Sequence, residues 1–423
     1  MLGPIESAFR RIVPLLDDLV RSGLPTKRVP AFRPVKETDN QVRYDEVEVQ
    51  RPDTERVMAL VREAVFSSPE FEAAVKDVER SAVVAAEVAH RALQDAALGY
   101  VLYERDPGGA AKDISARLAN EPVLCTWRAH LQGLVTTEPL TFSDGSVLRP
   151  PRDDDRLRAE PSDFASPMDE IEDARCPSIL ELRFRAQPGG LAQAIAERTF
   201  RVLRLICPAG ISYRKLRMLS PFVLVPMSRG TFYSPSRGTP YTWRLERDDV
   251  PRVDELRLAL WEQVPAFSEE PTDPVRIALD RYERALMENV RPEGRILYFV
   301  MALEALYSES ENEVGYRLKQ RAALFADFVD DDALAAARMV RQAYSLRSKY
   351  VHGNLPETAT FDLLPLAELV RKTLIFLLVT RRGKEELIRD LDAGAISESE
   401  RNHVRKDVRH VSGLMRAPGH RAM

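Results

Sequence analysis

An arginine and a histidine stand five positions apart in YSLRSKYVHGNLPE, residues 344–357. A guanidinium can hold two phosphate oxygens at once, and an imidazole can take and return a proton near neutral pH without a large shift. Side by side, Arg347 and His352 would suit chemistry at a phosphodiester. The spacing alone carries little weight. With 51 arginines and six histidines in 423 residues, about two Arg and His matches are expected by chance when three neighbouring offsets are allowed. Two are present, the other being Arg405 and His410 in RKDVRH. The plainer reading makes Arg347 a cap on the carbonyls of a neighbouring helix and His352 the closing residue of its own.

Context separates the two pairs. Val340, Ala343 and Tyr344 continue the apolar face of a long predicted helix, Gly353 suits the left-handed turn after its last residue, and Pro356 forbids continuation. His352 should therefore lie where the chain leaves the helix. There the helix dipole favours the imidazolium, which helps an acid more than a base. Five positions on an ideal helix amount to about 140° of rotation. The two side chains then converge only if the helix end unwinds or a second copy supplies the missing half.

The elements that must hold this pair read as an α+β multidomain chain. Residues 1–115 are expected to be mostly helical, with LPTKRVPAFRPVKETDN as a Pro-rich loop. Residues 116–265 read as an α+β module that could sense or regulate. Its expected strands are VLCTW, ILELRFR, FVLVP and YTWRLE, with LTFSDGSVLRP as a hairpin around Asp144 and Gly145. Leu180, Leu182 and Phe184 share one face of ILELRFR. One helix, GLAQAIAERTFRVLRLI, interrupts the strands, and residues 148–176 read as a loop. Residues 272–390 form a helical bundle with Thr272 as candidate first cap and PEGRILYFVMALEALYS as a central buried helix. Residues 391–423 read as a weakly structured tail.

Three segments of the bundle, MALEALYS at 301–308, GYRLKQRAALF at 315–325 and YSLRSKYVHG at 344–353, resemble in order the Apea-like branch of the HEPN superfamily. The resemblance covers residues 272–382, and the module before it resembles more faintly the region that precedes the domain in that branch. It implies an all-α HEPN bundle and a metal-independent endoribonuclease, in antiviral (anti-phage) defence or a toxin-like system, that acts as a homodimer. On this expectation His352 moves the proton and Arg347 holds the phosphate while a ribose 2′-OH attacks, leaving a 2′,3′-cyclic phosphate and a 5′-OH. Ser348 stands where many HEPN ribonucleases carry an amide, carboxylate or His; serine is usual in the Apea-like branch. Ser348, Lys349 and Asn354 are candidate RNA contacts, and Tyr344 a supporting residue. Glu304, on an otherwise apolar helix, is read first as the buried partner of Arg317 or Arg321, and second as a minor member of the site.

The rest of the sequence narrows the field. Hydrophobic residues at 44% and charged residues at 30% exclude wholesale disorder. A net charge of −4 gives no general attraction to nucleic acid, so RNA binding requires a local patch. Cys125, Cys176 and Cys207 lack metal or disulfide spacing and fit a reduced, cytoplasmic protein. TLIFLLV is too short to span a bilayer, and the first residues do not read as a secretion signal. His90, His130, His403 and His410 have no accompanying ligands, so no metal or cofactor is expected. No P-loop, zinc-protease, esterase-elbow or dinucleotide motif is present. Two rival readings stay open: a HEPN bundle that keeps its fold as a binding scaffold without catalysis, and a ligand sensor acting through residues 116–265.

Overall fold

The computed structural model describes residues 2–38, 41–103, 107–119, 121–152, 177–186, 192–220, 232–233, 242–265, 273–287, 291–309, 314–353 and 361–416. These form two compact units, the first of Met1–His130, Asp144–Ala192 and Arg214–Tyr233, the second of Leu131–Ser143, Gln193–Tyr213 and Ser234–Met423. The chain is mixed α and β, and mostly helical. Among the described residues no helix is long and apolar enough to cross a membrane.

The first unit opens with α1 (Leu2–Arg21), whose Ile5, Phe9, Ile12 and Leu16 are fully buried at helical spacing. Around it pack α2 (Thr54–Val61), α3 (Pro69–Ala82), α4 (Ala86–Tyr103) and α5 (Pro107–Leu118), sharing one core that includes Val61, Phe71, Leu93 and Ile114. The expected Pro-rich loop is instead a hairpin of β1 (Thr26–Thr38) and antiparallel β2 (Gln41–Pro52). Pro30 and Pro34 lie opposite Glu48 and Tyr44. Four residues apart, their nitrogens face the same edge, and a two-stranded ribbon can turn that edge away from its partner. In QVRYDEVEVQ, Val42 and Tyr44 and then, one position out of phase, Val47 and Val49 alternate with polar residues, which was the available strand signal.

A larger sheet follows, with β6 (Val147–Arg149), β7 (Ser178–Ala186), β3 (Val123–Gln132), β8 (Ser212–Ser220) and β9 (Phe232–Tyr233) adjacent in that order. Leu180 and Leu182 are buried while Arg183 and Arg185 are exposed, so β7 alternates as its sequence requires. Burial alone would raise the Glu181 carboxyl, but Arg149 and Arg128 hold it below the ordinary range. The loop expected at 148–176 begins later, because Leu148 and Arg149 belong to β6 and pair with β7; residues 153–176 and the expected strand FVLVP lie outside the described residues.

In the second unit β4 (Leu134–Val135) pairs in parallel with β10 (Trp243–Arg244), the latter within YTWRLE; β5 is Leu140–Thr141. The helices are α6 (Ala192–Ile206), α7 (Val250–Trp261), α8 (Pro274–Met287), α9 (Pro292–Tyr307), α10 (Val314–Phe328), α11 (Ala333–Val351), α12 (Leu363–Thr380), α13 (Lys384–Ile396) and α14 (Glu398–Met415). Asp273, rather than Thr272, caps α8 by accepting from the amides of Val275 and Arg276. Thr272 itself lies outside the described residues. α9 is central and packs against α8, α10, α11, α12 and α13. The expected tail is ordered as α14, because Val404, Val408, Val411 and Met415 put an apolar stripe against α12.

Arg371 of α12 is fully buried and organises this unit. Its guanidinium donates to the Glu368 carboxylate, to the carbonyls of Leu205 and Ile206 at the end of α6, and to the carbonyl of Met415 at the end of α14. One cation thus satisfies two helix C-termini, where orphan carbonyls and the helix dipole both call for positive charge. Nearby, Arg201 and Arg204 clamp the two oxygens of Glu283 at 2.7 and 3.0 Å. Replacing Arg371 with Met should lower the unfolding free energy by about 3–5 kcal/mol, since the part-buried Glu368 carboxylate and the buried carbonyls would lose their donor. Urea unfolding measures this, and a loss under about 1 kcal/mol would contradict the role.

Candidate active site

α11 delivers the arginine and histidine. Asp332 starts the helix by accepting from the amides of Leu334 and Ala335, and Ala336, Val340, Ala343 and Leu346 bury its inner face. At the other end the His352 amide still donates to the Ser348 carbonyl at 3.1 Å, and Gly353 turns out of the helix with φ of +78°. Glycine meets that left-handed turn without strain. His352 is exposed, as are Lys349 and Gly353, while Ser348 is partly buried. Asn354 lies outside the described residues.

Arg347 sits one turn inside, with its side chain 30% exposed. Its Nη2 lies 3.6 Å from Oε2 of Glu304 on α9, close enough for charge attraction and too far for a good hydrogen bond. The guanidinium carbon stands 5.9 Å from the centre of the Tyr344 ring, within cation–π range. Gly315 of α10 makes room for that ring, since a Cβ there would meet Tyr344 Cε1 at 2.9 Å. Gly315 was not singled out in the sequence, although a glycine in the first turn of a predicted helix was the available signal.

The pairing corrects one expectation. Glu304 faces Arg347, and neither Arg317 nor Arg321 is its partner. Arg317 is exposed on α10, and Arg321 is buried in a separate cluster with Asp392, Glu309 and the Tyr307 carbonyl. Glu304 therefore belongs with the candidate site. Burial raises its carboxyl above the ordinary range, and Arg347 only partly opposes this.

Among the described residues, Arg347 and His352 of one chain share no hydrogen bond, and the structure brings Arg347 to Glu304 and Tyr344 instead. The decoy pair differs. Arg405 is held by Asp327 at 2.6 Å while His410 is exposed on α14. Both arginines have an Nε without an acceptor, so the difference lies at the terminal nitrogens, which are committed in Arg405 and loosely held in Arg347. Elsewhere, His90 contacts Gln94 and Phe71, and burial pushes the Cys207 thiol up, away from nucleophile chemistry. Among the described residues no group of three or more His, Cys, Asp or Glu is placed to hold a metal.

Comparisons with protein-family models, curated proteins and solved structures find no match.

Glu304 yields a pH test. A carboxyl raised on folding contributes stability that is complete below its ordinary value and is lost as pH rises through the raised one. Glu304→Gln keeps the shape and removes the titration. Its unfolding free energy should gain on the parent protein as pH is raised from about 4 to about 8, bracketing the ordinary carboxyl range. Parallel stability curves would contradict the assignment.

Proposed function

We propose that the protein is a metal-independent endoribonuclease of the HEPN type, with Arg347 and His352 as its catalytic residues. The observation that carries the reading is a loosely held, part-exposed guanidinium five residues before an exposed imidazole at the C-terminus of the same helix. Arg347 would hold the non-bridging oxygens of the scissile phosphate and the charge that grows on them. His352 would protonate the leaving 5′-oxygen or take the proton of the attacking 2′-OH. Bond formation from the 2′-oxygen to phosphorus and loss of the 5′-oxygen leave a 2′,3′-cyclic phosphate and a 5′-OH, with no water consumed. Tyr344 and Glu304 position Arg347, and Ser348, Lys349 and Asn354 are the nearest candidates for RNA contacts. Because the two groups of one chain point about 140° apart along an ideal helix, a second copy completes the site. The role in defence or toxin action follows from the family resemblance alone.

The purified full chain, with EDTA and end-labelled RNA, should yield cyclic-phosphate ends. His352→Ala and Arg347→Ala should each cut the rate at least about a hundredfold, the usual scale for losing a general acid or base, with circular dichroism and melting unchanged. Persistent cleavage in His352→Ala would move the activity to another site. Mixing the two inactive variants should restore part of the activity, since a mixed dimer reunites one intact arginine with one intact histidine. A mixture as inactive as its components would exclude a shared site.

A further inference from the structure

The solvent face of α11 carries more positive charge than a two-residue site needs. Counted back from His352 at 100° per residue, Lys349, Ser345, Arg341 and Arg338 all fall within about 60° of it. All five residues are exposed. From Ala333 to Gly353 the sequence contains no Asp or Glu, so the face has no acid of its own at i±3 or i±4 to neutralise it. Among the described residues, Arg338, Arg341 and Lys349 take part in no ion pair. Some exposed arginines elsewhere are paired, as Arg10 is with Glu6, Arg389 with Asp390 and Arg409 with Asp330. Among the described residues Arg62, Arg91, Arg183 and Arg317 stand unpaired, but singly. What sets this face apart is that three such cations follow one another on one helix. The stripe runs about 21 Å along the helix, from the rise per residue, and ends at the histidine.

We infer that this stripe is a track for the sugar-phosphate backbone of single-stranded RNA, which it leads to His352; the inference rests on the nuclease reading above. A single row of cations matches the charge of one strand, whereas a duplex presents phosphates on two. Arg338, Arg341 and Lys349 can each meet a phosphate, and Ser345 can donate to a phosphate or sugar oxygen. An acidic protein surface is the poorer match, because protein interfaces depend on buried aromatic or aliphatic anchors and the residues of the stripe between Arg338 and His352 supply none. In a chain of net charge −4, such a local row is where attraction to RNA must reside.

The test uses the full chain carrying His352→Ala, so that RNA is bound and not cut, with a fluorescein-labelled single-stranded RNA of mixed sequence followed by anisotropy across a salt series. Adding Arg338→Ala, Arg341→Ala and Lys349→Ala should weaken binding at least tenfold and reduce the slope of log affinity against log salt by about 2, three contacts at about 0.7 each. Lysine at positions 338 and 341, in place of alanine, should restore most of the slope. With His352 intact, cleavage at limiting RNA should fall by a similar factor. Alanine at the paired arginines Arg389 and Arg409 should change neither quantity. Unchanged affinity and slope in the triple variant would overturn the track, as would equally tight binding of duplex RNA or polyglutamate by the parent protein. Slope loss without any cleavage by the intact protein would keep the track and sink the nuclease, and cleavage with unaltered binding would do the reverse.

Discussion

A guanidinium sealed from water must give its donors acceptors and its charge a partner, or the fold that seals it is destabilised by several kcal/mol. Arg371 meets that constraint by drawing the ends of α6 and α14 and the Glu368 carboxylate to one point on α12. The positions of three helices in the second unit therefore depend on one side chain. α12 in turn packs on α9, and α9 on α11. The place where α11 stops is fixed from the interior outward.

At that stop the same rules give the opposite result. Arg347 is near the surface, its one carboxylate stands at 3.6 Å, and that carboxylate is itself disposed by burial to accept a proton. Where Arg371 directs its donors to Glu368 and to backbone carbonyls, Arg347 has no acceptor within hydrogen-bond distance among the described residues. Gly353 releases the chain from the helix, so His352 meets solvent and not packing.

Much of this architecture was legible from residue spacing. The buried face of α11, its glycine stop, the central α9 and the alternation of β7 each follow from apolar period and turn chemistry. What escaped was non-local. The β1–β2 hairpin was hidden because prolines usually mark loops, and only pairing on one edge reconciles them with a strand. α14 was hidden because its charged residues outnumber the four apolar positions that hold it. No spacing rule could say that Glu304 would meet Arg347 in preference to Arg317 or Arg321, since that choice depends on how α9, α10 and α11 stack. The buried Arg371 was equally unreadable, as nothing in RKTLIFLLV distinguishes it from the exposed arginines of an arginine-rich chain.

In the proposed site Arg347 and His352 attend to the same phosphate. The most direct measurement is the imidazole resonance of His352, followed by NMR while a 2′-O-methyl oligonucleotide, which lacks the attacking hydroxyl, is titrated into the intact protein. A saturable shift of that resonance is expected, reduced or abolished in Arg347→Ala. An imidazole signal that stays fixed while the oligonucleotide binds would contradict it.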